Sequence, residues 1–95
     1  MKFFAVGPRI QVLATEGTRA SVPRAVAAVE AAGFAVSSTG PAETARTKTE
    51  VFAAKGAEEA AQSIASALPG GATVAPLTWR AGADIVVALG DSVTK

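Results

Sequence analysis

Twice in this chain a short apolar strand runs through a loop into an Ala-rich helical stripe, which glycine stops before another strand begins. The first unit opens with Arg9-Ile10-Gln11-Val12-Leu13-Ala14, apolar on both faces as a central strand requires. The polar loop Thr15 to Ala20 follows. Ser21 is suited to cap a helix and Pro23 falls in its first turn, where a missing N–H costs nothing. Val22, Ala25, Val26, Val29 and Ala32 share one helical stripe, so the spacing predicts a helix over Val22 to Ala32, stopped by Gly33. Phe34-Ala35-Val36-Ser37 is the next strand. A strand, helix and strand in such close succession imply a parallel pair with a right-handed crossover.

Ser38 to Thr44 has the turn chemistry of a loop. The second unit begins with Lys48 to Ala53, in which Thr49, Val51 and Ala53 share a face. After the Lys55-Gly56 break, Ala57, Ala60, Ala61, Ile64 and Leu68 form a second stripe. Glu58 and Glu59 favour its positive N-terminal end, and Pro69-Gly70-Gly71 terminates it. Thr73 to Leu77 reads as a fourth strand that Pro76 ends or confines to an edge. Thr78 to Ala83 is a turn. Asp84 to Gly90 is a continuous apolar strand. The expected fold is α/β, an α+β two-layer sandwich in the order β-α-β-β-α-β-β, with one mixed sheet of about five strands and two helices on one face.

The 95 residues allow a single domain. The sequence places it at 9–91, with 1–8 as an N-terminal flank and 92–95 as a C-terminal tail. No stretch approaches the ~18 to 20 apolar residues that span a bilayer, and the run at Phe3-Phe4-Ala5-Val6 is shorter than the ~7 residues of a signal-peptide core. The chain is therefore read as a domain excised from a longer protein, or one whose anchor lies elsewhere.

The chemistry available is narrow. Without His or Cys, catalytic triads, Cys–His pairs, disulfides and thiolate metal sites are all excluded. Glu58 and Glu59 are adjacent on a helix and splay apart. Asp84 and Asp91 flank a whole strand, too far apart for the roughly 5 to 9.5 Å of a glycosidase pair. No enzyme, metal or cofactor is expected. The net charge of +1 leaves no basic face for nucleic acid.

Two segments remain as candidate ligand-binding sites. Gly17, Thr18 and Arg19 lie between a strand and a helix, where backbone amides can meet an anion, although no phosphate-loop fingerprint is present and Glu16 opposes negative charge. The plain alternative is a tight strand-to-helix connection. Trp79 and Arg80 occupy the turn before the last strand. There an indole can stack on a sugar ring while a guanidinium binds an anionic group, or the indole can simply cover one end of the core.

Several short pieces, in order and spacing, resemble the LytR C-terminal domain family: Ile10-Gln11-Val12-Leu13, the Gly17-Thr18 loop, Ala31-Ala32-Gly33-Phe34-Ala35-Val36, Thr49-Glu50-Val51-Phe52 with Lys55-Gly56, and Ala67-Leu68-Pro69-Gly70 with Val74-Ala75-Pro76-Leu77. The most characteristic piece is Gly82-Ala83-Asp84 followed by an apolar run into Leu89-Gly90-Asp91. The chain departs from the family in lacking an Asn after the first strand and in having Phe52 as the only aromatic of the third. The family's domain follows the catalytic domain of LytR–CpsA–Psr proteins or stands alone behind a membrane anchor, notably in actinobacteria.

The resemblance implies an extracytoplasmic module at the cell envelope, attached to the membrane only through an anchor outside this chain. Its implied role is noncatalytic: binding or positioning near peptidoglycan and attached glycopolymers in support of wall assembly. Its partners would be cell-wall glycan or a cell-envelope protein. The alternative is a protein–protein or self-association module, a homo-oligomer included, working through an exposed edge such as Thr73 to Leu77.

Overall fold

A computed structural model describes residues 9–42, 47–68, 70–78 and 83–91. The elements are β1 (Ile10–Ala14), a 3-10 turn (Arg19–Ser21), α1 (Val22–Ala31), β2 (Val36–Pro41), β3 (Glu50–Ala53), α2 (Glu58–Ala67), β4 (Thr73–Pro76) and β5 (Ile85–Ala88). This is the expected mixed five-stranded sheet with two helices, in the order β2-β1-β5-β3-β4.

The two β-α-β units are arranged head to tail. β1 pairs parallel with β2, and β3 pairs parallel with β4. The last strand joins them, running parallel to β1 and antiparallel to β3. The two units therefore point in opposite directions and step outward to opposite edges. A half-turn about an axis normal to the sheet exchanges them without exchanging the faces. Right-handed crossovers in both units must then place both helices on the same face, and α1 and α2 do pack against each other.

The core lies between that face and the helices. Ile10, Val12 and Ala14 of β1, Val51 and Ala53 of β3, and Ile85 and Val87 of β5 meet Ala25 and Val29 of α1 and Ala61, Ile64, Ala65 and Leu68 of α2. The alanines of both helices let backbones approach the sheet closely, while the branched residues fill the space between. Alternation sends Val86 and Ala88 to the opposite face, and both are nevertheless buried. They are flanked in register by Gln11 and Leu13 on one side and by Phe52 and Glu50 on the other.

β2 begins at Val36 rather than Phe34 and β3 at Glu50 rather than Lys48, and three further boundary differences have a physical cause. β2 continues through Ser38-Thr39-Gly40-Pro41, a stretch with the composition of a loop. It is an edge strand, so Ser and Thr remain in solvent and proline loses no ladder hydrogen bond where its nitrogen faces outward. The pairing slips between Ile10 and Gln11, so that Val36 opposes Ile10 but Ser38 opposes Gln11. The Ser37 hydroxyl accepts from the Ile10 amide at 3.3 Å across that slip.

The second difference is at the start of α1. Ser21 stands at the expected N-cap position, yet its backbone is already near helical (φ −91°, ψ −4°) and its side chain makes no capping bond. The preceding 3-10 turn delivers the chain into the helix instead, through the Ser21 amide donating to the Thr18 carbonyl at 2.9 Å. Thirdly, the last strand is shorter than Asp84 to Gly90, because beyond Ala88 the chain ceases to form ladder pairs.

Candidate functional site

One concavity lies where β1 and β2 end together. It is a cleft of about 560 Å³ lined by Ala14, Arg19, Val22, Pro23, Thr39, Gly40 and Pro41. The parallel pairing of β1 with β2 brings these residues together. Thr39 and Pro41 stand opposite Val12 and Ala14, on the face that carries α1. The first turn of α1 supplies Val22 and Pro23, and the 3-10 turn supplies Arg19. The open C-terminal ends of parallel strands are a recurrent position for ligands in α/β sheets.

Among the described residues that line this cleft, Arg19 is the only charged one. It is exposed, and its guanidinium has neither an ion-pair nor a hydrogen-bond partner among the described residues. The other described lining residues are mostly apolar and none of them is aromatic.

Gly17 and Thr18 play different parts from Arg19. Thr18 is 1% exposed. Its hydroxyl accepts from the Thr15 amide at 2.9 Å, lies 3.2 Å from the Thr15 hydroxyl, and donates to the Thr15 carbonyl at 3.3 Å. The Thr18 amide closes the turn onto the same carbonyl at 3.1 Å. Thr18 is thus occupied in holding its own loop. Gly17 sits at the exposed tip of that turn without a positive φ, and a methyl group there would lie 3.9 Å from the Thr15 hydroxyl. Of the three loop residues proposed from sequence, only Arg19 lines the cleft.

Trp79 and Arg80 lie outside the described residues. The described chain on either side is at the other end of the sheet from Arg19. Leu77 donates to the Ala53 carbonyl at 2.8 Å, and the Asp84 carbonyl accepts from Ala54 at 2.8 Å. The intervening five-residue strand β1 spans about 17 Å.

Asp84 ties this second end together. Its carboxylate accepts from the Arg9 amide at 3.0 Å, and its own amide donates to the Arg9 carbonyl at 2.9 Å, fixing the entry of β1 against the entry of β5. A smaller cleft of about 300 Å³ lies beside it, lined by Ala54, Lys55, Gly56, Ala57, Ala60 and Asp84. The Glu58 carboxylate accepts from the Gly56 amide at 2.9 Å, so the entry to α2 already holds an acid. Opposite charges from Lys55 and Asp84 share this cleft, whereas Arg19 is the one charge among the described lining residues of the other.

Sequence reasoning reached Arg19 but missed Thr39, Gly40 and Pro41, because a Ser-Thr-Gly-Pro stretch signals a turn. Among the described residues, no three acidic side chains converge in a metal-binding group. No described helix is long and apolar enough to cross a membrane.

The edges bear on strand addition. The Thr73 and Leu77 amides point into the sheet, to the Thr49 and Ala53 carbonyls. Alternation therefore turns Val74 and Pro76 outward. Proline has no amide to offer, so Val74 carries the single outward donor of β4. On the other edge, Ala42 donates to the Ala14 carbonyl at 2.9 Å, which turns Thr39 and Pro41 outward in the same way.

The architecture is similar to that in the solution structure of the C-terminal domain of RV0431. The TM-score is 0.58, and the match covers 95% of this chain and 77% of that one. At 21% identity, the likeness bears on the fold alone. No curated protein matches the chain. The family model described as LytR cell envelope-related transcriptional attenuator matches residues 8–92, nearly the whole of the described fold, and the chain belongs to this LytR_C family.

Proposed function

We propose that this chain is a noncatalytic accessory module of the cell envelope, which binds or positions a parent protein near peptidoglycan and its attached glycopolymers. The observation that carries the reading is membership of a cell-envelope-related family across residues 8–92. Two features of the molecule support it. With no His and no Cys, the chain lacks the commonest general base and the thiolate nucleophile. The Arg19 cleft, in contrast, is a concave, largely apolar surface whose described lining includes one cationic side chain, the form of a recognition site. In this role Arg19 pairs with a carboxylate of the wall, while Trp79 stacks on a sugar ring beside Arg80. The parent protein is extracytoplasmic and held by a membrane anchor outside this chain.

The test is cosedimentation of the purified chain with isolated sacculi, comparing wild type with Arg19→Ala, Trp79→Ala and Arg80→Ala. Saturable binding that at least one substitution weakens is the expected result. Absence of binding by folded wild-type protein would overturn the reading and direct the search to a protein partner.

A further inference from the structure

We propose that the Arg19 cleft is a site for the free C-terminal carboxylate of a short aliphatic peptide. The inference rests on the envelope role only in where such a ligand is met; its chemistry comes from the cleft.

Charge comes first. Among the described residues, Arg19 is the only ionised group lining the cleft, and its guanidinium has no partner among them. A guanidinium presents a planar fork that matches a carboxylate with two parallel hydrogen bonds. One cation neutralises one carboxylate. A phosphate dianion would retain a charge here, with no second Lys or Arg among the described lining residues to meet it.

The walls come second. Ala14, Val22, Pro23 and Pro41 enclose the cleft with aliphatic groups. Recognition of sugar rings typically exploits an aromatic platform, and none of the described lining residues supplies one. Small aliphatic side chains fit these walls, and a volume of about 560 Å³ lies within the range of small-ligand pockets.

The third feature is the backbone at the rim. Thr39 is an exposed residue of the edge strand β2 whose neighbours in alternation, Ser38 and Gly40, face β1. Its amide and carbonyl therefore point away from the sheet. They offer one donor and one acceptor to an extended peptide group lying alongside, with the Thr39 hydroxyl as a third polar atom. Pro41, the next outward residue, has no amide and so ends this edge after a single peptide unit. A short segment ending in a carboxylate satisfies these features together: one peptide group on Thr39, apolar side chains against the prolines, and the terminal charge on Arg19.

The experiment is a titration of the ¹⁵N-labelled chain followed by amide chemical shifts. The probes are N-acetyl-Ala-Ala as the free acid, the same dipeptide as its C-terminal amide, inorganic phosphate and the neutral disaccharide chitobiose. The free acid is expected to shift the Arg19, Val22, Thr39 and Gly40 amides saturably. The amide form, and the free acid on Arg19→Ala, should each bind roughly tenfold or more weakly, the effect of removing a charge-assisted pair. Equal binding of acid and amide, tighter binding of phosphate or chitobiose at these amides, or no saturable shift of them up to the solubility of the acid would overturn the proposal. Sacculus binding decides the envelope role separately: a chain that binds sacculi but ignores the dipeptide acid retains that role and loses this site.

Discussion

The Gly90 amide donates to the Thr49 hydroxyl across 3.0 Å, in the buried seam where the end of β5 meets the start of β3. Thr49 is fully buried, and the two backbones approach so closely that a methyl carbon on Gly90 would lie 2.8 Å from the Thr49 nitrogen and closer still to the Lys48 carbonyl. The contact joins residues 41 positions apart and closes the antiparallel junction between the two halves.

Gly90→Ala should therefore lower stability by about 1–3 kcal/mol, the range for forced overpacking. Thr49→Val should cost a similar amount, about 1–3 kcal/mol, by leaving a buried amide without its acceptor. Urea unfolding midpoints of the two variants check both, and an unchanged midpoint for Gly90→Ala would show that the seam can open to admit a methyl group.

Two glycines that look alike in sequence should respond oppositely to alanine. Gly33 ends α1 with φ +98°, a conformation that resists a side chain, whereas Gly17 lies in a turn without positive φ. Gly33→Ala is expected to destabilise by about 1 kcal/mol, and Gly17→Ala to be neutral or stabilising by about 0.4–1 kcal/mol through the unfolded chain. Thermal unfolding of the pair distinguishes them. Strong destabilisation by Gly17→Ala would mean that the loop tip needs glycine after all.

Thr18 should prove structural in the same assay. Thr18→Val removes an acceptor for the Thr15 amide in a buried setting and is expected to cost about 1–3 kcal/mol, while Thr18→Ser retains the hydroxyl and should cost less. Hydrogen exchange at the Thr15 amide should accelerate in Thr18→Val and stay slow in Thr18→Ser.

The edge prolines make a separate prediction. Pro41 and Pro76 occupy matching outward positions at the ends of the two outer strands, opposite Ala14 and Ala53. Replacing both with Val restores an outward amide on each edge, which should raise self-association relative to wild type, because an unguarded edge templates strand pairing. Sedimentation velocity across a concentration series reads this directly. Identical profiles for the double variant and wild type would show that the prolines do not guard the edges.

Local pattern carried much of the fold. The Val22, Ala25 and Val29 stripe, the Gly33 stop and the Thr49-Val51-Ala53 alternation each follow from a periodicity or a residue's conformational range, and each is seen in the structure. The extent of β2 was not legible because Ser38 to Pro41 has turn composition, and only its place at the sheet edge makes it a strand. That same misreading hid Thr39 and Pro41, and with them most of one wall of the cleft. Strand order was equally out of reach. Nothing local to Ile85-Val86-Val87-Ala88 says that it inserts between β1 and β3, although its apolarity on both sides indicated a central place. Arg19 was identifiable by residue type, while Thr18 could be recognised as an internal tie only once its burial was known.

The position of β5 also dictates how the molecule must come into being. Each outer unit can pair its own two strands as soon as its helix is made, but those pairs share no ladder with each other. The bridging strand is the last one in chain order. The ladders that join the two halves therefore cannot form until Ile85 to Ala88 has been made. Closure of the sheet waits for the end of the domain, and a chain cut short before Ile85 would lack every ladder between the two halves.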